Sequence, residues 1–307
     1  MNVSAHLASE PLDVVVVGEA LIDIVQSPEG HIEYPGGSPA NVAYGLGRLD
    51  VKAGLLTAIG RDPRGDAIAA HLASAGVVVL PGSQSLGRTA TATAEIAADG
   101  SAEYVFDIEW SLAPAALPYA PKVLHTGSIA TFLEPGAGVV RNLLEQAQGG
   151  CIVTYDPNIR TDLLGSHHEA LRIFEELVPL TNVVKLSDDD AFWLYPGKSL
   201  EDTAKHILGL GAGLAVVTRG PHGSLMATPD TQLTVPAVTS VVADTIGAGD
   251  SYMSALILGL LLRGSQGLAP TVLERIGQTA SMAASITVGR PGANPPTHRE
   301  LLAGMAR

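Results

Sequence analysis

The chain has 307 residues, of which 46% are hydrophobic and only 16% charged, and it carries a formal net charge of −13 at pH 7. That balance argues for a compact globule over a disordered chain, and the length fits one large α/β domain or two smaller ones. The acidic surplus argues against a nucleic-acid partner, because phosphate-backbone binding relies on Lys and Arg, so any phosphate ligand must be held by local groups.

Residues 1–11 lack a basic stretch followed by an apolar run, so no secretory signal is expected. Leu12 to Val17, with its four valines stopped by Gly18, reads as a buried strand. Leu21 to Tyr34, around Pro28-Glu29-Gly30, reads as a hairpin. Ser38 and Pro39 suit the N-cap and first position of a helix through about Leu49, and Ala53 to Ile59 reads as the next strand. Asp62-Pro63 then opens a helix through His71 and Leu72, closed by Gly76. Arg88 to Trp110 is rich in Thr, Ala, Val and aromatics around Asp99-Gly100, the pattern of a second hairpin.

Beyond it the apolar runs Val123-Leu124, Cys151 to Tyr155, Val183 to Leu186 and Leu214 to Thr218 each follow a helix-like segment. That alternation predicts βα units and a mostly parallel sheet. Cys151 is the chain's single cysteine, which excludes an internal disulfide and fits a reducing compartment. His125, His167, His168 and His222 show no metal-binding pair. The longest apolar run, Ala255 to Leu262, is too short to cross a bilayer. These features predict a cytoplasmic protein with no membrane partner.

Val242 to Tyr252 carries the most chemistry. Met253, Leu256, Ile257 and Leu260 recur at helical spacing after it, so a helix is expected to start near Ala248. Unpaired amides at a helix start attract phosphate, and Gly247 and Gly249 let the backbone approach it closely. Asp250 lies inside that turn, where an acid would repel bound phosphate unless it had a proton to accept from an attacking hydroxyl. By itself the same acid could simply complement the helix dipole.

Asp244-Thr245-Ile246-Gly247-Ala248-Gly249-Asp250 resembles the C-terminal D-T-x-G-A-G-D signature of the ribokinase/PfkB family of carbohydrate kinases, and Gly36-Gly37-Ser38-Pro39-Ala40-Asn41 resembles that family's N-terminal G-G-x-x-x-N signature. The likeness extends to Val17–Asp23, Tyr155–Arg160 and Val217–Gly220, covers essentially the whole chain, and is strongest to the bacterial fructokinase branch. It implies a three-layer, ribokinase-like (Rossmann-like) α/β domain spanning 1–307, with a β-hairpin lid at about 20–36 and 88–111. It also implies phosphoryl transfer from ATP to a primary hydroxyl of a small sugar, fructose first. Asp250 would be the general base, the amides of Gly247, Ala248 and Gly249 would hold the transferring group, and Arg160 would contact transferred phosphate or nucleotide.

On the same basis Asp23, Gly37 and Asn41 bind sugar, and Trp110 either covers it or packs the hairpin onto the body. Lys185, Ser187 and Asp190 occupy the place of the N-x-x-E motif, from which this chain departs by Ser187 for Asn and Asp190 for Glu. Asp190 could order magnesium-bound water or simply complement a helix dipole. Thr218, Gly220, Gly223, Gly292 and Asn294 fall on the nucleotide side, and the backbone near Asp244 and Ile246 is where many members hold potassium. A homodimer through the lid is consistent with an exposed hairpin edge.

Other classes fit less well. Gly197-Lys198-Ser199 lacks the upstream glycine of a Walker loop, and Gly18-Glu19-Ala20 does not open a dinucleotide fingerprint. Gly36-Gly37-Ser38-Pro39-Ala40 departs from G-x-S-x-G at its last residue. A kinase of 2-keto-3-deoxygluconate or of a nucleoside is the alternative within the family, and a non-catalytic sugar-binding protein the alternative outside it. The latter would keep Asp23 and Asn41 but would not need Asp250.

Overall fold

The computed structural model describes residues 11–27, 30–96, 102–115, 117 and 120–306. Nine strands form one sheet in the spatial order β15 (Gln232–Val235), β14 (Ser224–Ala227), β13 (Leu214–Thr218), β12 (Val183–Ser187), β11 (Ile152–Asp156), β10 (Val123–Gly127), β1 (Val14–Val17), β4 (Ala53–Leu56) and β6 (Val78–Val79). From β13 to β6 every pairing is parallel, and only β14 and β15 run antiparallel at one edge.

A parallel sheet is covered on both faces, which explains why β1 is four valines with no polar alternation. Val14 and Val16 join a core with helices α1 (Ser38–Arg48), α2 (Pro63–Ser74), α7 (Ala248–Arg263), α8 (Pro270–Val288) and α9 (His298–Met305), through Leu46, Leu72, Leu256, Ala280 and Leu301. Val15 and Val17 point the other way, to α3 (Gly136–Ala147), α4 (His167–Leu177), α5 (Asp188–Leu194) and α6 (Leu200–Gly209), through Leu143, Phe174, Leu194 and Ile207. The result is a three-layer, ribokinase-like α/β fold.

A second sheet of four strands stands apart, in the order β3 (Gly30–Gly36), β2 (Leu21–Ser27), β8 (Thr91–Ile96), β9 (Ala102–Asp107). It consists of two antiparallel hairpins joined side by side by the parallel β2–β8 pair. Asp62 ties it to the body: its carboxylate caps α2 at the Gly65 N–H and also accepts from the Thr89 backbone N–H and hydroxyl. The proposed turn residues Pro28-Glu29 and Asp99-Gly100 lie outside the described residues.

Two expectations need correction. The Ala53–Ile59 strand divides, because only Ala53–Leu56 pairs in the main sheet while β5 (Ile59–Gly60) pairs with β7 (Gln84–Leu86) in a separate two-stranded sheet. The first strand begins at Val14, two residues after Leu12, where pairing with β4 and β10 begins. Among the described residues no helix is long and apolar enough to cross a membrane.

Candidate active site

The parallel strands deliver many of the candidate residues at one edge of the sheet. Asp156 ends β11, Ser187 ends β12 with Lys185 two residues before it, and Thr218 ends β13. Ligands of open α/β sheets bind at this carboxyl edge, where loops and helix starts converge.

The start of α7 faces the same edge. Its N-cap, Gly247, is left-handed at φ 74°, and a Cβ there would stand 2.7 Å from that of Ala293, so a side chain is excluded by both conformation and space. No side chain caps this end, which leaves first-turn amides to an anionic ligand. Beneath the turn sits Lys185, only 4% exposed, its Nζ 3.1 Å from where a Cβ on Gly249 would stand. Nζ donates to Asp156 Oδ2 at 2.7 Å. Burial works against the lysine's charge, but Asp156, Asp190 and Asp250 together outweigh it and raise its pKa. A fixed cation therefore reinforces the positive end of the helix.

Asp250, in the first turn of α7 and 9% exposed, is gripped from the other end of the chain. Ser38 Oγ donates to its Oδ1 at 2.6 Å, across 212 residues of sequence. Asn41 Nδ2 donates to Oδ2 at 2.9 Å. This corrects the reading of Ser38 as an N-cap. The cap of α1 is Gly37, Ser38 is the first helical residue, and no side chain caps that end. Standing one residue past the cap, Ser38 makes no cap hydrogen bond, and its hydroxyl proton goes to the buried Asp250 carboxylate.

Asp23 emerges on β2 beside this pair. Its carboxylate lies over Gly36, where a Cβ would come within 2.0 Å of Oδ2. Burial pushes its pKa up to about 6, with Arg160 opposing and Asp250 adding to the rise. A Cβ on Gly37 would meet the Glu19 carbonyl oxygen at 2.8 Å, so the segment at Gly37 lies directly on the backbone that follows β1. Asp23, Gly37, Ser38, Asn41, Arg160 and Asp250 thus belong to one polar corner.

Trp110 takes the packing role. It is 3% exposed, its Nε1 donates to Ala130 O at 3.1 Å, and its ring fills the space that a side chain at Gly136 would need. Ser187 Oγ caps α5 through the Asp190 N–H at 2.9 Å. Asp190 accepts the N–H of Ser187 at 3.0 Å and that of Ile159 at 2.9 Å. The pair closes a capping box and pins the Asp156–Arg160 loop to β12, so both side chains do structural work whatever else they meet. His125 is buried, with Nδ1 2.9 Å from Thr154 Oγ1, and burial lowers its pKa to about 3.

Gly220 and Gly223 are both left-handed in the turn after β13, and the Arg219 N–H donates to Gly223 O at 2.8 Å. Asp244 uses its side chain to join two loops, accepting the Ile246 N–H at 3.0 Å and the Gly292 N–H at 2.9 Å, and Asn294 follows in the second loop.

Glu19 has no role in the reading of the sequence. It is 5% exposed, and its Oε2 accepts the Ala130 N–H at 3.1 Å. A carboxylate directly after a buried strand and before Ala20-Leu21-Ile22 is the signal that could have found it.

The model of the pfkB family carbohydrate kinases matches residues 11–299. The chain belongs to this family. This pfkB kinase is 32% identical over 265 residues to a fructokinase of Klebsiella pneumoniae, covering 81% of this chain and 84% of that one. It is 30% identical over 310 residues to fructokinase-2 of Solanum lycopersicum, covering 94% of each. Among solved structures it superposes on a Vibrio cholerae fructokinase double mutant, bound to fructose, ADP and potassium, with a TM-score of 0.81 and 24% identity over 96% of this chain and 99% of that one. It also superposes on the Salmonella enterica aminoimidazole riboside kinase, bound to its riboside and an ATP analogue, with a TM-score of 0.81 and 21% identity over 95% and 99%. Identities this low carry the fold of the pfkB kinase and leave its acceptor to the site itself.

Proposed function

We propose that this carbohydrate kinase phosphorylates a primary hydroxyl of a small neutral sugar, fructose first, with ATP as donor and Asp250 as general base. The observation that carries the reading is the meeting of the Asp250 carboxylate, in the anion-binding turn of α7, with Ser38 and Asn41 at the start of α1. A hydroxyl lying against Asp250 can pass its proton to the carboxylate as its oxygen bonds to the γ-phosphorus. First-turn amides of α7, with Lys185 beneath them, can stabilise charge on the phosphoryl oxygens. Asp23 supplies an acceptor for the remaining sugar hydroxyls, and Arg160, whose charge acts on Asp23, is the contact for transferred phosphate or nucleotide. Within the family this corner would also suit a 2-keto-3-deoxygluconate or a nucleoside ribose.

The residues fit an ATP site at Thr218, Gly220, Gly223, Gly292 and Asn294, along the same sheet edge. Magnesium bound with ATP neutralises phosphate oxygens in reactions of this type. Among the described residues no group of three His, Cys, Asp or Glu side chains could hold a metal, so the ion would enter on the nucleotide, with Asp190 reaching it through water. Potassium would be held by backbone carbonyls near Asp244 and Ile246, in the loops that the Asp244 side chain already joins. We place the protein in the cytoplasm and a second copy of the chain at its lid.

The test is ADP release over a panel of sugars, nucleosides and 2-keto acids with magnesium, with and without potassium. Fructose is expected to give the highest kcat/KM. Asp250→Asn is expected to lower kcat by at least about 10³-fold while fructose still binds in calorimetry. Near-wild-type turnover by that variant would remove the base from this reading. An absence of turnover with every acceptor would favour a sugar-binding protein.

A further inference from the structure

We infer that Ser38 is a positioning residue for the general base: together with Asn41 it locks the plane of the Asp250 carboxylate, so that the remaining lone pairs are fixed toward the acceptor hydroxyl. The inference rests on the reading of Asp250 as base and assigns a role in the reaction to Ser38, whose contact with Asp250 that reading uses only to locate the corner.

Three observations carry it. First, the two donors take different oxygens of one carboxylate, Ser38 Oγ on Oδ1 at 2.6 Å and Asn41 Nδ2 on Oδ2 at 2.9 Å. A single donor would leave the group free to turn about its Cβ–Cγ bond, and two donors on opposite oxygens remove that freedom. Second, both donors are borne three residues apart in the first turn of one helix, so they share a face and move as a unit. Third, Ser38 stands one residue inside the Gly37 cap of α1 and makes no cap hydrogen bond there, so its hydroxyl is engaged with Asp250 instead of the helix end.

An ionised carboxylate offers about four lone-pair sites, so two remain after Ser38 and Asn41 are bound. The acceptor hydroxyl needs only one of these, and Ser38 need not leave for the proton to transfer. Holding a reacting group in its attack geometry lowers the barrier and does not change how tightly the ground-state sugar binds. Loss of the Ser38 hydroxyl should therefore appear in kcat and not in binding.

The experiment compares Ser38→Ala with wild type and with Asp250→Asn, measuring kcat and KM for fructose and ATP, fructose Kd by calorimetry, and the urea midpoint. A hydrogen bond to a charged group corresponds to about 10- to 100-fold. We expect kcat of Ser38→Ala to fall by that order, with both KM values and the fructose Kd within about twofold of wild type. A weakened Kd with kcat retained would make Ser38 a sugar ligand and overturn the proposal. Wild-type kcat in Ser38→Ala beside an inactive Asp250→Asn would overturn it alone and leave the base standing. Turnover in Asp250→Asn would remove the base and this inference together.

Discussion

Glu19 shows how a single buried carboxyl couples the site to pH. Burial pushes its pKa from about 4.5 up to about 8, against the pull of its hydrogen bonds to Ser128 and Ala130 and of the Arg160 charge. The folded protein therefore keeps this proton over a range in which the unfolded chain releases it. Where the folded state binds more protons, stability falls as pH rises, so Glu19 should cost stability progressively between about pH 4.5 and pH 8 and level off above. A glutamine can still accept the Ala130 N–H and cannot ionise. Glu19→Gln should match wild type in urea midpoint at an acidic pH near 5 and exceed it at a mildly alkaline pH near 8.5, by an upper bound on the order of 5 kcal/mol. A wild type that gains on the variant as pH rises would instead mean that Glu19 is ionised and paired with Arg160. The position of Asp250 was legible because glycines before an apolar helical run mark a helix start, and Asp250 does lie in the first turn after Gly247. Glu19 was not, because a lone carboxyl is read as a surface charge until the strand before it and the Gly127–Thr131 segment above it are seen to close over it.

At the scale of elements, the spacing of α1 and α7 sets the catalytic corner. Gly45 allows that approach: a Cβ there would stand 2.4 Å from Ser254 Oγ, and that hydroxyl already donates to Val42 O and Asp250 O. Gly45→Val should therefore push α1 away from α7, carrying Ser38 and Asn41 off Asp250. We expect a loss of about 1–3 kcal/mol from overpacking and a fall in kcat of at least about tenfold, measured by urea unfolding and steady-state kinetics. Unchanged kcat in a destabilised variant would show that the corner tolerates a shift of its helices. The helices themselves were readable, since Pro63 after Asp62 starts α2 where the N-cap chemistry places it, and Met253, Leu256, Ile257 and Leu260 are all buried on α7. The error at Ser38 has a general cause. A serine before a proline at a helix start looks like a cap to any local rule, and only a partner 212 residues away tells otherwise.

For the whole molecule, the four valines of β1 and the later apolar runs sufficed to indicate a covered parallel sheet, and two intervals outside the βα rhythm sufficed to indicate the two hairpins of the second sheet. What local pattern could not supply was pairing between distant segments, such as the parallel β2–β8 contact that fuses the hairpins into one sheet. That four-stranded sheet leaves apolar side chains in the open. Ile32 is 57% and Tyr34 50% exposed, and their registers with Val25 and Asp23 put both on the lid face that carries Asp23. Arg64, at the start of α2, makes a bidentate pair with Glu33 and anchors the intervening residue of β3 from the opposite face. A sheet held on one face, with Ile32 and Tyr34 exposed on the other and β3 and β9 as its outer strands among the described residues, invites a matching sheet from a second copy. We predict a dimer in sedimentation velocity at micromolar concentration, and a shift to monomer in Ile32→Glu. Since Asp23 shares that face, loss of the partner should raise KM for fructose several-fold and leave KM for ATP alone. A wild-type monomer across the same concentrations would show that the lid covers its sugar without help from a partner.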